Sequence, residues 1–209
     1  MAKIYVLGMG PGSKDYILPI TTKIIHQCDV LIGGKRNLQY FENLEKDFLY
    51  IGSNLKELVE YTKNNKDKKK IAFLLSGDTG FYSMLSYLKK HFSKEEVEVV
   101  PGISSYQYLA GRIGQSWQDA YVGSLHGRNF DFVETAKEYK KVFVLTDQKN
   151  SPKEIARELI QNDMKDRVMI VGENLSYDDE KISIGKPEDI IKMKDFSMCV
   201  VVIKDEMDV

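Results

Sequence analysis

Short apolar runs alternate with amphipathic segments along the first half of the chain. The apolar runs are typical of buried strands, and the segments between them carry apolar residues at helical spacing. The predicted strands are Lys3–Leu7, Val30–Ile32, Phe48–Ile51, Ile71–Leu75 and Val97–Val100. The predicted helices are Pro19–Gln27, Lys35–Phe41, Leu55–Asn64, Phe81–His91 and Ser104–Arg112. Repeated strand–helix alternation predicts a mostly parallel sheet that helices cover on both faces.

The alternation pauses at Gly114–Asp119. We place a boundary there, between an N-terminal α/β domain, 1–113, and a C-terminal α/β domain, 120–209. The strands predicted in the second half are Ala120–Leu125, Lys141–Thr146, Val168–Val171, Lys181–Ile184 and Met198–Ile203. The helices predicted there are Phe132–Lys140, Pro152–Asn162 and Lys186–Met193. Because only one short helix lies among the last strands, the second sheet is predicted to be mixed.

The bulk composition narrows the class of protein. The chain has 209 residues, of which 43% are hydrophobic and 29% are charged, as is ordinary for a soluble globular protein. The net charge of -1 gives no reason to expect nucleic acid, and no apolar run reaches the roughly 18 residues of a membrane span. The opening residues resemble a strand and not a signal peptide, so we expect a cytoplasmic protein.

The cysteines and histidines give no indication of a metal site. Cys28 and Cys199 each lie inside an apolar segment, which predicts buried thiols in a reducing cytoplasm. His26, His91 and His126 are far apart in the sequence, and no cysteine pair has zinc-like spacing. Neither residue type therefore points to a metal ion.

Three turns rich in glycine follow predicted strands. The first contains Gly8-Met9-Gly10-Pro11-Gly12, the second Ser76-Gly77-Asp78-Thr79-Gly80, and the third Pro101-Gly102-Ile103-Ser104-Ser105. Parallel strands end at one edge of a sheet, where open α/β sheets bind ligands, so the turns are predicted to form one ligand-binding edge. Tight chain reversals, with Asp78 or Thr79 capping the next helix, are the alternative.

The first turn does not match the known nucleotide-binding motifs. The dinucleotide fingerprint is Gly-x-Gly-x-x-Gly. Counted from Gly8, its sixth position, which requires glycine, is Ser13, and its fourth position is Pro11. Proline also has no N–H to offer a pyrophosphate. The Gly-Lys-Ser/Thr phosphate loop is absent as well. This turn is therefore predicted either to bind another kind of ligand or only to reverse the chain.

The same residues resemble the tetrapyrrole methylases, S-adenosylmethionine-dependent enzymes of siroheme and cobalamin synthesis. The resemblance rests on the order and spacing of the three turns and on Phe81-Tyr82 after the second, and it covers essentially the whole chain. Three longer strings, Cys28–Leu38, Gly114–Arg128 and Val142–Ala156, are similar to the CbiE branch of the family. That branch methylates C5 of cobalt-precorrin-7, or of precorrin-7 in the aerobic route.

The resemblance implies two α/β domains with the cofactor, S-adenosylmethionine, in a cleft between them. The implied cofactor-binding residues are Pro11, Ser76, Gly77, Asp78, Phe81, Ser104, Ser105, Leu145, Thr146 and Gly172. The implied substrate is a tetrapyrrole polyanion with acetates and propionates, and the fork of an arginine suits such carboxylates. The expected substrate-binding residues are Arg128, His126, Lys35 and Arg36. For each arginine alone a surface role is the alternative, and for His126 a structural one.

Two departures from the family pattern bear on the chemistry. Thr79 stands where the family often has proline, which leaves the second turn less rigid. Gly33-Gly34-Lys35-Arg36 replaces an Asp-Arg-Leu-Val string whose aspartate has been proposed as a base, so we assign no general base. An electron-rich ring carbon needs little acid–base help before it attacks a methyl group. We therefore expect no catalytic side chain, and catalysis by positioning and exclusion of water.

The family also implies partners. A homodimer is expected, and bifunctional relatives carry a second domain that methylates C15 and decarboxylates an acetate. We expect that domain to be absent here, so a separate C15-methyltransferase/decarboxylase is a possible functional partner. Whether the substrate already holds cobalt stays open.

Other functions compete with this interpretation. They are methylation at another ring carbon, diphthine synthesis and nucleotide sensing without catalysis. The string Ser124–Arg128 and the missing Asp-Arg-Leu-Val argue against the first two. A Ser–His hydrolase is disfavoured because no Gly-x-Ser-x-Gly elbow is present.

Overall fold

The computed structural model describes residues 4–205, and the chain divides after Ser104 into two compact units. The strands of the first unit are β1 (Ile4–Gly8), β2 (Val30–Gly33), β3 (Asp47–Tyr50), β4 (Ile71–Leu75) and β5 (Val97–Val100). Its helices are α1 (Pro19–Gln27), α2 (Lys35–Leu38), α3 (Leu55–Asn65) and α4 (Leu85–Leu88), with 3-10 turns at Lys14–Tyr16 and Gln39–Phe41. The predicted strands are confirmed, except that Lys3 lies outside the described residues.

The strands of the first unit form one parallel sheet, in the order β3-β2-β4-β1-β5. Strand β1 pairs with β4 up to Gly8 opposite Leu75, and on its other side Leu7 lies opposite Val100 of β5. The strands β4, β1 and β5 therefore end side by side. The predicted parallel sheet is confirmed.

Side chains alternate between the two faces of this sheet, and helices cover both faces. Val6 and Phe73 belong to one apolar cluster with residues of α3 and α4. Their neighbours Leu7 and Leu74 belong to another cluster with residues of α1 and α2. Since both faces are buried, nearly every position of these strands is apolar, which is why the sequence shows continuous apolar runs instead of alternation.

The helix predicted at Phe81–His91 is wrong over most of its length, because α4 spans only Leu85–Leu88. Tyr82 has a φ of 47°, a left-handed conformation that interrupts helical geometry. The Ser83 hydroxyl donates to the Thr79 carbonyl and accepts the Leu85 N–H at 3.2 Å. Local bonding by serine therefore competes with the helix that the apolar spacing predicts.

The second unit contains a mixed sheet, as predicted. Its strands are β6 (Tyr121–Ser124), β7 (Lys141–Leu145), β8 (Val168–Glu173), β9 (Lys181–Gly185) and β10 (Cys199–Lys204). Its helices are α5 (Ser105–Arg112), α6 (Phe132–Glu138), α7 (Pro152–Gln161) and α8 (Pro187–Lys192). The strand order is β6-β7-β10-β8-β9, in which only the pair β6–β7 is parallel.

Local signals fix the helices on one face of the second sheet. Asp131 and Ser151 cap α6 and α7 by accepting the N–H groups of Glu134 at 2.9 Å and Glu154 at 3.3 Å. Pro187 begins α8, where a missing N–H costs nothing. All three helices contribute to one apolar cluster with the strands.

Helix α5 packs on the second sheet through an edge contact between Tyr106 and Phe143, whose ring centroids are 6.1 Å apart. The sequence-based bounds, 1–113 and 120–209, assign this helix to the first domain, whereas its packing places it in the second unit. The end residues of those bounds, 1–3 and 206–209, lie outside the described part of the chain.

Both cysteines are free and buried, which confirms the prediction of buried thiols. Burial raises the pKa of the Cys28 thiol and that of the Cys199 thiol to about 11. At neutral pH both are therefore protonated and unreactive as nucleophiles.

Candidate functional site

The three glycine turns meet at the carboxyl ends of the neighbouring strands β4, β1 and β5. They are named here the first turn (residues 9–13, after β1), the second turn (76–80, after β4) and the third turn (101–104, after β5). Within the first unit their backbones touch one another. The predicted convergence of these turns on one edge of the sheet is confirmed.

Backbone hydrogen bonds join the first turn to the second. The Met9 N–H donates to the Leu75 carbonyl at 2.9 Å. Gly10 and Gly77 then exchange two bonds, at 3.2 Å from the nitrogen of Gly10 and 2.8 Å from that of Gly77. Their φ angles of 79° and 68° are left-handed, a conformation that glycine adopts without steric cost. Main-chain pairing thus continues beyond the ends of the strands.

The third turn packs directly against the backbone of the other two. A Cβ atom added to Gly102 would lie 2.2 Å from the Gly77 carbonyl oxygen and 2.9 Å from the Cα of Gly8. A Cβ atom added to Gly8 would lie 2.4 Å from the Gly102 nitrogen. No side chain fits at either position without moving the backbone. Close packing of main chain on main chain therefore explains both glycines.

The Asp78 carboxylate fastens the second turn to the third. One oxygen accepts the Gly80 N–H at 2.8 Å, and the other accepts the Gly102 N–H at 3.0 Å. The proposed capping role is wrong, since the next helix begins only at Leu85. A carboxylate offers about four acceptor positions, so these two bonds do not exhaust its capacity.

Thr79, which stands where the family often has proline, is held by its own hydrogen bond. Its side chain is buried, and its hydroxyl donates to the carbonyl of Val100, the last residue of β5, at 3.4 Å. Ser83 also bonds to the Thr79 carbonyl. These contacts supply to this turn some of the rigidity that proline supplies through its ring.

The other predicted cofactor-binding residues near the three turns lie on these turns or directly after them. Pro11 is half-buried in the first turn, and Ser76 is exposed at the start of the second. Phe81 follows the second turn and makes an edge contact with Tyr82, with ring centroids 4.7 Å apart. Ser104 is buried in the third turn, and Ser105 opens α5 in the second unit.

Helix α2 carries Lys35 and Arg36 beside this edge, and two residues that sequence reasoning missed anchor it there. The Asn37 side-chain amide donates to the Leu74 carbonyl at 3.1 Å and to the Ser76 hydroxyl at 3.2 Å. The Tyr40 hydroxyl donates to the Gly12 carbonyl at 3.1 Å. Lys35 and Arg36 are exposed and are therefore held next to the turns. Their anchors bond to main chain far away in sequence, which no local pattern reveals.

In the second unit, Thr146 and Gly172 are accounted for by contacts inside the unit. The Thr146 hydroxyl donates to the Cys199 carbonyl at 2.7 Å, which joins the end of β7 to the start of β10. A Cβ atom on Gly172 would lie 2.7 Å from a methyl group of Leu175 and 2.9 Å from one of Leu109, so these leucine side chains would have to move to admit it. Leu145, the last residue of β7, is half-buried. Their assignment to the cofactor stays a prediction.

His126 and Arg128 lie on the exposed loop after β6. The His126 imidazole Nδ1 is 3.4 Å from the Thr146 carbonyl. Sequence reasoning missed Asp147, whose carboxylate accepts the Gly127 N–H at 3.1 Å. The backbone N–H groups of Asn150 and Gly127 lower the pKa of this carboxyl, so it is ionised at neutral pH.

Two features are absent among residues 4–205. No group of three or more histidine, cysteine, aspartate or glutamate side chains is arranged to hold a metal ion. Within the same residues, every helix is too short or too polar to cross a membrane.

The parallel sheet, whose three glycine turns are joined at one edge, and the mixed sheet that follows it define an α/β protein. The chain belongs to the family of tetrapyrrole (corrin/porphyrin) methylases, whose family model matches residues 3–191.

Particular members of that family resemble the chain over nearly its full length. It is 36% identical over 201 residues to cobalt-precorrin-7 C(5)-methyltransferase of Salmonella typhimurium, covering 96% of this chain and 98% of that one. It is 37% identical over 207 residues to a probable cobalt-precorrin-7 C(5)-methyltransferase of Methanocaldococcus jannaschii, covering 96% of each.

A solved structure shares the fold. It is uroporphyrin-III C-methyltransferase from Thermus thermophilus complexed with S-adenyl homocysteine, which matches with a TM-score of 0.79 at 16% identity, over 97% of each chain.

The close packing of the turns predicts that Gly102→Ala lowers the free energy of unfolding by about 1–3 kcal/mol, because the new methyl group has no room. Urea unfolding followed by circular dichroism measures the change. Gly34→Ala is the matched control in the same unit, since no atom lies within 4 Å of its added Cβ and its φ is -66°. We expect its effect to stay within about 0.5 kcal/mol. Equal stabilities of the two variants would contradict the packing argument.

The two bonds of the Asp78 carboxylate predict that Asp78→Ala costs about 1.5–3 kcal/mol of unfolding free energy, since both N–H groups lose a charged acceptor. Asp78→Asn keeps one acceptor and should cost less. Asp15→Ala, which removes an exposed carboxylate beside the first turn, should be nearly neutral. A melting temperature of Asp78→Ala equal to that of Asp15→Ala would show that the bonds do not stabilise the edge.

Proposed function

We propose that this protein transfers a methyl group from S-adenosylmethionine to C5 of cobalt-precorrin-7, or of precorrin-7, in cobalamin biosynthesis. The identities of 36% and 37% to relatives of that name, over 96% of this chain, support the choice of ring carbon. The observation that carries the proposal is the joining of the main chain of the three turns into one edge at the carboxyl ends of β4, β1 and β5. The cofactor-bound relative with the same fold supports the choice of donor.

The groups at this edge fit the donor. S-adenosylmethionine has an ammonium, a carboxylate, hydroxyls and an adenine, and it carries its reactive methyl group on a sulfonium. Left-handed glycines such as Gly10 and Gly77 bring the backbones of the first two turns together with no side chain in the way, and a carbonyl that already accepts one N–H can accept a second donor, such as the ammonium or a hydroxyl. Asp78 adds a negative charge for the ammonium or the sulfonium. Pro11, Ser76, Phe81 and Ser104 complete the assignment in the first unit.

Residues of the second unit complete the proposed donor contacts. They are Ser105 at the start of α5, Leu145 and Thr146 at the end of β7, and Gly172 in β8. The resemblance to the family supports this part of the assignment.

Methyl transfer requires the protein to position the reactants more than to supply a reactive side chain. The nucleophile is a ring carbon of the reduced tetrapyrrole, and the displaced group is a neutral thioether. Both thiols of the described residues are buried, with pKa values near 11, so neither competes as a nucleophile. The residues of the edge hold the methyl group in line and keep water away. Such positioning is worth up to about 7–11 kcal/mol in general.

The substrate side of the proposal uses basic side chains outside the turns. Lys35 and Arg36 are held beside the edge by the anchors of α2, and His126 and Arg128 lie on the loop after β6. All four are exposed at the surface, where the acetates and propionates of a tetrapyrrole can reach them. Arginine binds a carboxylate through two parallel bonds, which makes Arg128 the main candidate.

We also propose that the enzyme is a homodimer in the cytoplasm and that a separate C15-methyltransferase/decarboxylase is its functional partner. The free state of both cysteines suits a reducing compartment. The resemblance to the family supports the dimer and the partner. Light scattering of the purified protein tests the dimer.

Incubation with methyl-labelled S-adenosylmethionine and a panel of precorrins tests the reaction. We expect one methyl group to enter cobalt-precorrin-7 or precorrin-7, and carbon NMR to place it at C5. A methyl group at another ring carbon would identify a different tetrapyrrole methylase. Binding of S-adenosylhomocysteine without any turnover would favour a nucleotide-sensing module instead.

Replacement of Arg128 tests the substrate site. Arg128→Ala should raise KM for the tetrapyrrole by about tenfold, because a bidentate charged contact is lost, and should leave the affinity for S-adenosylhomocysteine unchanged. Steady-state kinetics and calorimetric titration measure the two effects. Arg157→Ala is the control, since Arg157 is exposed on α7 and pairs with Glu154. Weaker cofactor binding at an unchanged KM would remove Arg128 from the substrate side.

A further inference from the structure

Two loops lie side by side at the carboxyl ends of the parallel strands β6 and β7. The loop after β6 contains His126, Gly127 and Arg128, and is named here the 126–128 loop. Below it, the Leu125 N–H donates to the Leu145 carbonyl at 2.8 Å and so extends the strand pairing by one bond. Beyond that point the two backbones separate, and side chains connect them.

Asp147 and Asn150 form this connection. One Asp147 oxygen accepts the Gly127 N–H at 3.1 Å. The other accepts both the backbone N–H of Asn150 at 2.8 Å and its side-chain amide at 3.1 Å. The same amide donates to the Leu125 carbonyl at 3.3 Å. Thus the loop after β7 holds the 126–128 loop at Leu125, just before it, and at Gly127, its middle residue.

Packing does not hold the 126–128 loop in place. No atom lies within 4 Å of a Cβ added to Gly127, and residues 126–129 are exposed. The apolar cluster of this unit includes Leu125 and no residue of the loop beyond it. Gly127 also has a φ of 62°, a conformation that its surroundings do not enforce by contact. The hydrogen bonds of Asp147 and Asn150 therefore fix this loop together with two local bonds, from the His126 N–H to the Ser124 hydroxyl at 3.2 Å and from the Arg128 N–H to the Leu125 carbonyl at 3.3 Å.

We propose that Asp147, braced by Asn150, is a positioning residue that fixes the 126–128 loop and so presents His126 and Arg128 to the carboxylates of the substrate. The inference rests on the proposed function, in which those two residues bind the tetrapyrrole. Asp147 does not touch the substrate in this role. It limits the conformations of the loop before binding, so less ordering is left to the moment when the substrate arrives.

Asp147→Asn is the sharpest test because it keeps the size of the side chain. The two carboxylate oxygens both accept N–H groups, whereas an amide has one acceptor and places its NH₂ against a donor on the other side. We expect KM for cobalt-precorrin-7 to rise by about tenfold with kcat reduced by less than about threefold, since the loss precedes the methyl transfer. The affinity for S-adenosylhomocysteine should stay near that of the wild type, and the melting temperature should fall only slightly, because the bonds that are lost hold an exposed loop outside the apolar cluster.

Two further variants complete the design. Asn150→Ala removes the side-chain hydrogen bonds of Asn150 to Asp147 and Leu125 but leaves the bond from the Gly127 N–H to Asp147. The KM of this variant should therefore rise less than that of Asp147→Asn. Gln148→Ala changes an exposed neighbour on the same loop and should leave both constants unchanged. A KM of Asp147→Asn equal to that of Gln148→Ala would overturn the inference. Weaker cofactor binding at an unchanged KM would also overturn it. So would a large fall in melting temperature together with a fall in kcat as large as the rise in KM.

Hydrogen exchange of the Gly127 amide tests the arrangement without any substrate. Exchange should accelerate by about tenfold or more in Asp147→Asn, because the amide loses its acceptor. Unchanged exchange would overturn the inference whatever the substrate is. If the wild-type enzyme methylates no precorrin, the proposed function fails, and faster exchange in the variant would still establish that Asp147 fixes the loop.

Discussion

The contact of main chain with main chain at Gly8, Gly77 and Gly102 is the constraint on which the first unit depends. Parallel strands end with unpaired N–H and C=O groups, and here those groups bond partly to one another across the turns and partly to the side chains of Asp78, Asn37 and Thr79. Because these glycines have no Cβ atoms, the turns can pack closely on one another. The Asp78 carboxylate joins the second turn to the third by accepting the N–H groups of Gly80 and Gly102. The outcome is a rigid edge of polar backbone without a reactive nucleophile. Such an edge suits a cofactor that carries its own reactive group.

The glycine turns of the first unit and the loop after β6 in the second unit are held in place by different interactions. In the first, closeness of the backbone itself fixes the turns, so the glycines are irreplaceable. In the second, the loop after β6 is open around Gly127, and the side chains of Asp147 and Asn150 fix it. A site built on side-chain bonds changes shape with a single substitution more readily than one built on backbone packing. The proposed donor contacts of the first unit therefore rest on backbone packing, whereas the proposed substrate contacts on the loop after β6 rest on side-chain hydrogen bonds.

Much of this was predictable from the sequence, since apolar runs and helical spacing report local burial. These patterns predicted nearly all strands and most helices. The three glycine turns indicated both their meeting at one edge of the sheet and the family. Features that depend on distant partners were not predictable. The Asp78 carboxylate reaches a nitrogen 24 residues away, and Asn37 bonds to a strand 37 residues away. The failure at α4 has a local cause, because Ser83 competes for backbone bonds beside a left-handed Tyr82.

Titration of the isotope-labelled protein with S-adenosylhomocysteine, followed by the backbone amide signals in NMR, tests the central claim most directly. The account predicts that the largest shifts fall on Gly10, Gly77 and Gly102 and saturate at one ligand per chain. Shifts confined to the opposite ends of the strands, near Asp29 and Asp47, would contradict it, because the joined turns would then be a structural device and not the donor site.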